Sequence, residues 1–173
     1  MWGGGWIVAG VLLERLTVGH EEALLGFERE NRAYFAGFVS DRGDAYFAEF
    51  GAQLRDRLAE QDAGVCHFHV VVDDMGNLIG RVNLVDVEDG VAELGYRIGE
   101  RAAGKGVATA AVREVCRLAA DVYGLSELTA VAHLDNPASR TVLERNRFTF
   151  VENITLVGRP GVRYRRRLTT AAT

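Results

Sequence analysis

The order of apolar and polar positions along the chain predicts short strands that alternate with amphipathic helices. Val107, Ala111 and Val115 recur at the three-to-four-residue spacing of one helix face. This helix is expected to end near Tyr123, because Gly124 follows and glycine is common just past a helix end. Elsewhere apolar and β-branched residues form short runs bounded by glycine, asparagine and aspartate, which is typical of strands.

The predicted elements follow one another in the order of a mixed α/β layer structure. Helices are expected at residues 20–34, 44–61, 107–123 and 138–146. Strands are expected at residues 11–17, 65–73, 78–87, 91–98, 128–134, 148–153 (continuous with or separate from 155–157) and 162–168. A short Gly-containing connection at 74–77 predicts a hairpin. The helix at 107–123 crosses between two strands that we expect to be parallel neighbours.

Length and composition favour one globular domain. A chain of 173 residues suits a single domain, which we place at 11–173 behind a glycine-rich leader at 1–10. The leader is too short to span a membrane and lacks the basic segment of a secretory signal, so we expect a cytoplasmic protein with no membrane contact. A net charge of -4 argues against nucleic-acid binding, and two cysteines are too few for a disulfide framework.

The segment 101–108, Arg-Ala-Ala-Gly-Lys-Gly-Val-Ala, joins a predicted strand to a predicted helix. A strand that leads through glycines into a helix N-terminus presents unpaired N–H groups and the positive end of the helix dipole, which favour a phosphate. The segment lacks the Lys-Ser/Thr pair of a P-loop and the three glycines of a dinucleotide fingerprint. An ordinary strand-to-helix turn is the alternative.

The spacing of Arg101, Gly104, Gly106 and Ala108 resembles the pyrophosphate turn of the GCN5-related N-acetyltransferases (GNAT). The segment 136–145, Asn-Pro-Ala-Ser-Arg-Thr-Val-Leu-Glu-Arg, is similar to the Asn-x-x-Ser helix of the same family. The opening helices resemble those of the ribosomal-protein alanine/serine N-terminal acetyltransferases, in segments 24–27, 31–35 and 41–47.

The resemblance implies the GNAT fold: a twisted, mostly antiparallel sheet of about seven strands, splayed between the fourth and fifth and flanked by about four helices. It also implies acetyl-CoA as co-substrate, with no metal. The residues that would hold acetyl-CoA are Tyr96, Arg97, Ile98, Arg101, Ala103, Gly104, Lys105, Gly106, Val107, Ala108, Asn136 and Ser139.

Three residues are expected to take catalytic roles: Ile98 and Ser139 by this resemblance, and Glu93 from its place beside the core of the fourth predicted strand. The backbone N–H near Ile98 would stabilise charge on the thioester oxygen. Ser139 would donate to the leaving thiolate, because Leu143 stands where many family members have a tyrosine. The alternative for Ser139 is a first-turn serine that only binds backbone. Glu93 is the leading general base, and its alternative is a solvent-facing glutamate.

Two histidines, two cysteines and one basic run are further candidates for a function. His67 and His69 share one strand face but lack further ligands for a metal. Cys116 is expected in the core, and Cys66 has no base partner in the sequence, so an acetyl-cysteine route is not supported. The basic run 163–167 is expected on the exposed face of the last strand, with a phosphate or an acidic ribosomal surface as alternative partners.

One further departure from the family pattern concerns a helix end. Arg147 stands where the family usually has glycine, so the turn must accept backbone strain or take another form.

The sequence therefore predicts a cytoplasmic N-acetyltransferase, monomeric or homodimeric, that acts by direct attack in a ternary complex. The expected acceptor is the N-terminal α-amine of a protein, plausibly ribosomal. An α-amine has a reference pKa near 7.7–8.0, against about 10.4 for lysine, and needs only a weak base. Three alternatives stay open: an acetyltransferase for polyamines, amino acids or aminoglycosides, a non-catalytic acyl-CoA sensor, and a simple phosphate-binding domain.

Overall fold

The computed structural model describes residues 6–8 and 10–170, with the side chains of residues 10–170. Of the expected leader, residues 1–5 and 9 lie outside the described residues. The leader's Trp6–Val8 forms an edge strand, β1, paired antiparallel with the next strand. This strand adds one to the number expected, so the predicted fourth and fifth strands are β5 and β6 below.

The bounds of the elements agree closely with the predicted ones. The strands are β1 Trp6–Val8, β2 Val11–Arg15, β3 His67–Asp73, β4 Leu78–Glu88, β5 Val91–Ile98, β6 Glu127–His133, β7 Thr149–Leu156 and β8 Arg159–Arg167. The helices are α1 Glu21–Glu30, α2 Arg32–Ala36, α3 Asp44–Ala48, α4 Phe50–Asp62, α5 Val107–Asp121 and α6 Pro137–Arg145. Short 3-10 turns lie at Val18–His20 and Glu100–Ala102.

All eight strands form one sheet in the order β1-β2-β3-β4-β5-β6-β8-β7. Every neighbouring pair is antiparallel except β5 and β6, which are parallel and connected through α5, as predicted. β7 is continuous across the interruption that the sequence left open. No helix among the described residues is long and apolar enough to cross a membrane.

The two faces of the sheet carry separate apolar clusters. One face packs against α5 and α6 through fully buried residues of the sheet and of α5, among them Leu13, Leu84, Leu128, Val112, Val115 and Leu118. The other face packs against α1, α2 and α4, through residues that include Leu24, Phe27, Phe35, Phe50, Leu54, Phe68 and Val70. β5 therefore lies between a layer formed by α5 and α6 and a layer formed by α1, α2 and α4.

The first predicted helix is divided in two at Asn31. Its side-chain amide donates to Phe27 O (2.9 Å), and its Oδ1 accepts from the backbone N–H of Glu100 at 2.9 Å. An added Cβ at Gly99 would lie 2.9 Å from Phe27 and 3.2 Å from Asn31, so the chain approaches closely there. The bend at Asn31 thus fixes the loop that follows β5. The second predicted helix is divided likewise at Glu49.

The turn after α6 adopts the left-handed conformation despite its arginine. Arg147 has φ +63°, which costs a non-glycine residue about 1–2 kcal/mol. Buried Asn146 donates its side-chain amide to Thr109 O in α5 (3.2 Å) and to Val142 O (2.9 Å), and Arg166 donates to Asn146 O. These contacts hold the end of α6 against α5 and β8.

Candidate active site

A slot opens in the sheet where β5 and β6 separate. The two strands pair from Val91 opposite Glu127 to Leu94 opposite Ala130 and no further. The last four residues of β5, Gly95 to Ile98, therefore have no partner on the β6 side, while they stay paired with β4. This exposes peptide groups of β5 along one wall of the slot, which fits the splay that the family resemblance predicts.

The glycine turn follows the unpaired end of β5 and leads into α5. Gly104 has φ +73° and Gly106 has φ +78°, a region that side chains other than glycine rarely adopt. α5 begins at Val107, and its first hydrogen bond to the turn is from Ala110 N to Gly106 O. The preceding N–H groups have no acceptor within the helix, and no acidic residue stands in the first turn. The turn suits an anionic diphosphate.

The side chains of the turn contribute less than its backbone. Arg101 is 89% exposed and pairs with Glu30 of α1 at 2.9 Å, so its guanidinium is directed toward α1. Lys105 is exposed at the tip of the turn, and Ala103 is half-buried beside it. All the turn residues named from sequence thus lie between the unpaired end of β5 and the first turn of α5.

Tyr96 and Ser139 connect the two elements that border the slot. The Tyr96 hydroxyl lies 3.0 Å from Ser139 Oγ and donates to Ser139 O at 3.3 Å. Asn136 Oδ1 accepts from Ser139 N at 3.1 Å, which caps α6 as the sequence predicts. Burial raises the pKa of Tyr96, so its phenol keeps its proton at neutral pH.

A role for the Tyr96 hydroxyl was not predicted from the sequence, where Tyr96 was expected only among the residues that hold acetyl-CoA. Strand alternation was the available signal, because it places Tyr96 on the face opposite Glu93 and Arg97, toward α5 and α6. Leu143, which stands where many family members have a tyrosine, is 1% exposed and belongs to the core. The phenol nearest Ser139 therefore comes from β5.

Glu93 lies on the other face of β5, one residue before the pairing with β6 ends. It is half-buried, with Val85 of β4 and Thr129 of β6 beside it. Burial and the negative charge of Asp86 raise its pKa, against an opposing effect of Arg163. Asp86 belongs to a bulge in β4 with φ +53°, and bulges are frequent beside active sites.

The same face of β5 borders an open cleft. Gly95 is exposed, and an added Cβ there would meet nothing within 4 Å. Arg97 reaches across to α1 and α2, with Glu28 Oε2 at 3.5 Å and the Phe35 ring centroid at 5.1 Å. A shallow cleft lies here, lined by residues of α1 to α3, their connecting loop and Arg97.

The two histidines form a structural cluster. His69 Nε2 lies 2.6 Å from the Tyr123 hydroxyl, and the His67 ring stacks on Tyr123 at 3.7 Å between centroids. Burial lowers the pKa of His67 to about 4 and of His69 to about 3, so both are neutral at pH 7. Among the described residues, no group of three or more His, Cys, Asp or Glu could hold a metal ion.

The remaining candidates from the sequence are the two cysteines and the basic run on β8. Both cysteines are buried, and desolvation raises the pKa of each thiol to about 11, so neither is a nucleophile at neutral pH. Cys116 lies in the core as expected. The basic run alternates on β8: Arg163 pairs with Glu152 at 2.6 Å, and Tyr164 between the arginines is buried.

The chain matches known acetyltransferases over most of its length. The Acetyltransferase (GNAT) domain family matches residues 11–149. The chain is 30% identical over 146 residues to the probable N-acetyltransferase YjcK of Bacillus subtilis (strain 168), with 80% of each chain covered.

Solved structures agree with this assignment. The ribosomal-protein-S5-alanine acetyltransferase of Vibrio fischeri superposes with a TM-score of 0.89, at 16% identity, over 95% of this chain and 96% of that one. A chimeric spermidine N-acetyltransferase from Vibrio cholerae and hSSAT superposes with a TM-score of 0.75, at 19% identity, over 91% and 95%. Other matching structures hold coenzyme A or acetyl-CoA. The chain belongs to the GNAT family and is an acetyl-CoA-dependent N-acetyltransferase.

Proposed function

We propose that this enzyme acetylates the N-terminal α-amine of a protein, plausibly a ribosomal protein, by direct attack within a ternary complex. The observation that carries the proposal is the charge of the acceptor cleft. Arg32, Arg42 and Arg97 line it against only two carboxylates, Glu28 and Asp41. A polyamine, the acceptor class that an acidic groove would favour, is repelled by such a lining. The fold likeness to the V. fischeri ribosomal-protein acetyltransferase supports the same acceptor class.

The donor side has backbone groups that suit the diphosphate and the pantetheine of coenzyme A. The left-handed Gly104 and Gly106 and the open first turn of α5 would hold the diphosphate, and the unpaired end of β5 would bind the pantetheine amides. Bound acetyl-CoA supplies a thioester carbonyl to be attacked and a sulfur that leaves as thiolate. A backbone N–H near Ile98 would stabilise the charge that grows on the carbonyl oxygen.

Ser139 would donate a hydrogen bond from its hydroxyl to the departing sulfur, which leaves as thiolate while the serine keeps its proton. The Asn136 cap fixes the backbone at Ser139, and the Tyr96 phenol at 3.0 Å holds the serine hydroxyl between β5 and α6. Tyr96 is in this account a positioning residue, because its own hydroxyl already contacts Ser139 O and Oγ. Positioned donors of this kind typically contribute about 10²–10⁴ in rate.

Glu93 would accept the proton of the attacking amine, directly or through one water. Its raised pKa makes it a stronger base than an exposed glutamate. Because an α-amine has a pKa near 7.7–8.0, a sizeable fraction is already neutral at neutral pH. We therefore expect Glu93→Gln to shift the acidic limb of the kcat/KM profile more than it lowers the plateau.

The test is thiol release from acetyl-CoA with two acceptor panels. One panel holds peptides that begin with Ala, Ser, Thr or Met, each with an N-terminally blocked control. The other holds polyamines, amino acids and aminoglycosides. We expect turnover of free but not blocked peptides, with the acetyl group at the α-amine by mass spectrometry. Turnover confined to small amines would refute the protein-acceptor proposal, and silence in both panels with coenzyme A still bound would indicate an acyl-CoA sensor.

A further inference from the structure

The acceptor cleft holds a buried carboxylate shared by two arginines. Glu28 is 2% exposed, and its Oε1 lies 2.9 Å from Arg81 Nε. Its Oε2 lies 3.5 Å from Arg97, a long contact for an ion pair. The 2.9 Å contact is not aligned as a hydrogen bond, since neither atom has a hydrogen-bond partner. One carboxylate thus balances two guanidiniums at the base of the cleft.

A third guanidinium makes this local charge more positive. Arg42 lies over the Tyr46 ring at 4.6 Å and has no carboxylate within ion-pair distance among residues 10–170. Burial and the positive charge of Arg42 lower the pKa of Arg97. Burial lowers the pKa of Arg81 to about 10, with Arg42 and Arg97 contributing. The cluster therefore has a cation without a counterion.

A neighbouring arginine in the same cleft shows the opposite arrangement. Arg32 contacts Asp41 at 2.7 Å and Asp44 at 2.8 Å, so its charge is fully compensated. These two carboxylates leave Arg42 and Arg97 uncovered, although both arginines line the same cleft. Arg32 thus has two carboxylates, Arg97 shares Glu28 with Arg81, and Arg42 has none among the described residues, so Arg42 and Arg97 together can accept an external carboxylate.

The excess positive charge lies close to the part of β5 where the reaction is expected to occur. Arg97 and Gly95 share one face of β5, about 7 Å apart along the strand. Gly95 is exposed with open space above it, Arg97 lines the cleft two residues further along the strand, and Ile98, the expected backbone donor to the thioester, adjoins Arg97. An acceptor whose amine lies over Gly95 would place its next one or two residues at Arg97 and Arg42.

We propose that Arg42 and Arg97 bind a carboxylate of the acceptor polypeptide within one or two residues of the attacked amine. The inference rests on the proposed function, because it names the protein N-termini that this site prefers: those with Asp or Glu at the second or third position. Arginine is suited to this role, since its planar donors bind a carboxylate with two parallel hydrogen bonds. The same charges repel a polyamine.

The experiment compares three peptides that differ only at the second residue: Ser-Glu, Ser-Gln and Ser-Lys, each followed by the same neutral sequence. Initial rates of thiol release are measured with the full-length protein at low and high salt. We expect kcat/KM for the Glu peptide to exceed that of the Gln peptide about tenfold, and the Lys peptide to be the poorest. The difference should lie in KM, and high salt should reduce it.

Two variants and one control test whether Arg42 and Arg97 cause the preference for the Glu peptide. Arg42→Gln removes an exposed side chain, so the protein should stay folded while the Glu-to-Gln ratio falls toward one. Arg97→Lys keeps the charge but loses the paired donors, and should give an intermediate ratio. Arg57→Gln removes one equal charge from exposed α4, where Arg57 pairs with Glu60, and should leave the ratio unchanged.

The outcomes separate this inference from the proposed function. Equal rates for the Glu and Gln peptides in the wild type, or a ratio that Arg42→Gln leaves intact, would overturn the anion subsite while peptide acetylation stands. Rates for free aspartate or glutamate with no peptide turnover would retain a carboxylate subsite and overturn its peptide source. No turnover of any peptide or acidic amino acid would overturn both.

Discussion

The two faces of β5 carry the two halves of the candidate site, and they are built from different kinds of groups. On the donor face, the unpaired end of β5, the glycine turn and the α5 N-terminus present mostly backbone groups. On the acceptor face, Glu28, Arg42, Arg81 and Arg97 come from four separate segments of the chain. A site made of backbone leaves a spacing pattern in the sequence, whereas one made of distant side chains does not.

The two faces also differ in the origin of their stability. The donor face depends on conformation, because two left-handed glycines allow the turn. The acceptor face depends on charge balance around a buried carboxylate. Replacing a turn glycine on the donor face should therefore weaken ligand binding, whereas replacing the buried carboxylate on the acceptor face should destabilise the fold.

The largest effect is expected from Glu28→Gln on the acceptor face. It leaves the buried Arg81 without a counterion, and breaking a buried ion pair costs about 3–5 kcal/mol. Urea denaturation should show this loss in the free energy of unfolding. Glu22→Gln, an exposed change on the same helix, is the control and should lie within about 0.5 kcal/mol of the wild type. Equal midpoints for both variants would contradict a charge-balanced acceptor face.

The next effect is expected from Ser139→Ala on the donor face. Loss of the donor to the thiolate should lower kcat about 100-fold, with the KM for acetyl-CoA nearly unchanged. Tyr96→Phe should lower kcat less, because it removes only the group that holds the serine hydroxyl. Thr141→Ala removes an exposed hydroxyl from the same helix and is the matched control. An unchanged kcat in Ser139→Ala would make that serine a structural helix residue.

A smaller effect, confined to donor binding, is expected from Gly106→Ala. Its φ of +78° costs an alanine about 1–2 kcal/mol, although a Cβ there meets no atom within 4 Å. The KM for acetyl-CoA should rise about tenfold, with the acceptor KM unchanged, in steady-state rates with each substrate varied. Gly26→Ala on α1, with equal space and helical conformation, should change neither constant. An acceptor KM that rises equally would show that the two faces are not independent.

The smallest effect concerns how the stability of the fold depends on pH through the two histidines of β3. The pKa values of His67 and His69 fall from 6.5 to about 4 and about 3, so below pH 6.5 the unfolded chain binds protons that the folded chain does not. Their contribution to stability is complete above pH 6.5 and is lost as the pH falls toward about 3. His67→Phe keeps a ring to stack on Tyr123. Urea midpoints between pH 7 and 4.5 should fall less steeply in this variant than in the wild type.

Much of the fold followed from local patterns. The alternation of strands, the amphipathic α5 and the Asn136 cap of α6 were predicted within a few residues. Two helices were predicted as continuous but are divided, and at Asn31 the reason is tertiary: its side chain binds the loop at Glu100, 69 residues away. Helix periodicity carries no information on a contact of that range.

Like the fold, the candidate site was predicted only in part from the sequence. Gly104 and Gly106 lie in the turn before α5, and Asn136 caps α6 at Ser139, so the local conformations that the family resemblance implies are present. The phenol of Tyr96 and the cleft around Arg97 were missed, because each acquires its role only from partners on other elements. The roles of Ser139 and Glu93 stay predictions that the kinetic experiments test.

By itself, the sequence determined the order of elements, since this depends on periodicity and on glycines whose backbone conformation is local. The family and the acetyl donor followed from the resemblance of segments 101–108 and 136–145 to the GNAT pattern. Only the tertiary structure decided where β5 and β6 part, that Tyr96 faces Ser139, and that Arg42 and Arg97 lie together with too few carboxylates. The physical reason is the range of the interactions. Backbone geometry depends on neighbouring residues, whereas charge balance depends on every segment that the fold brings together.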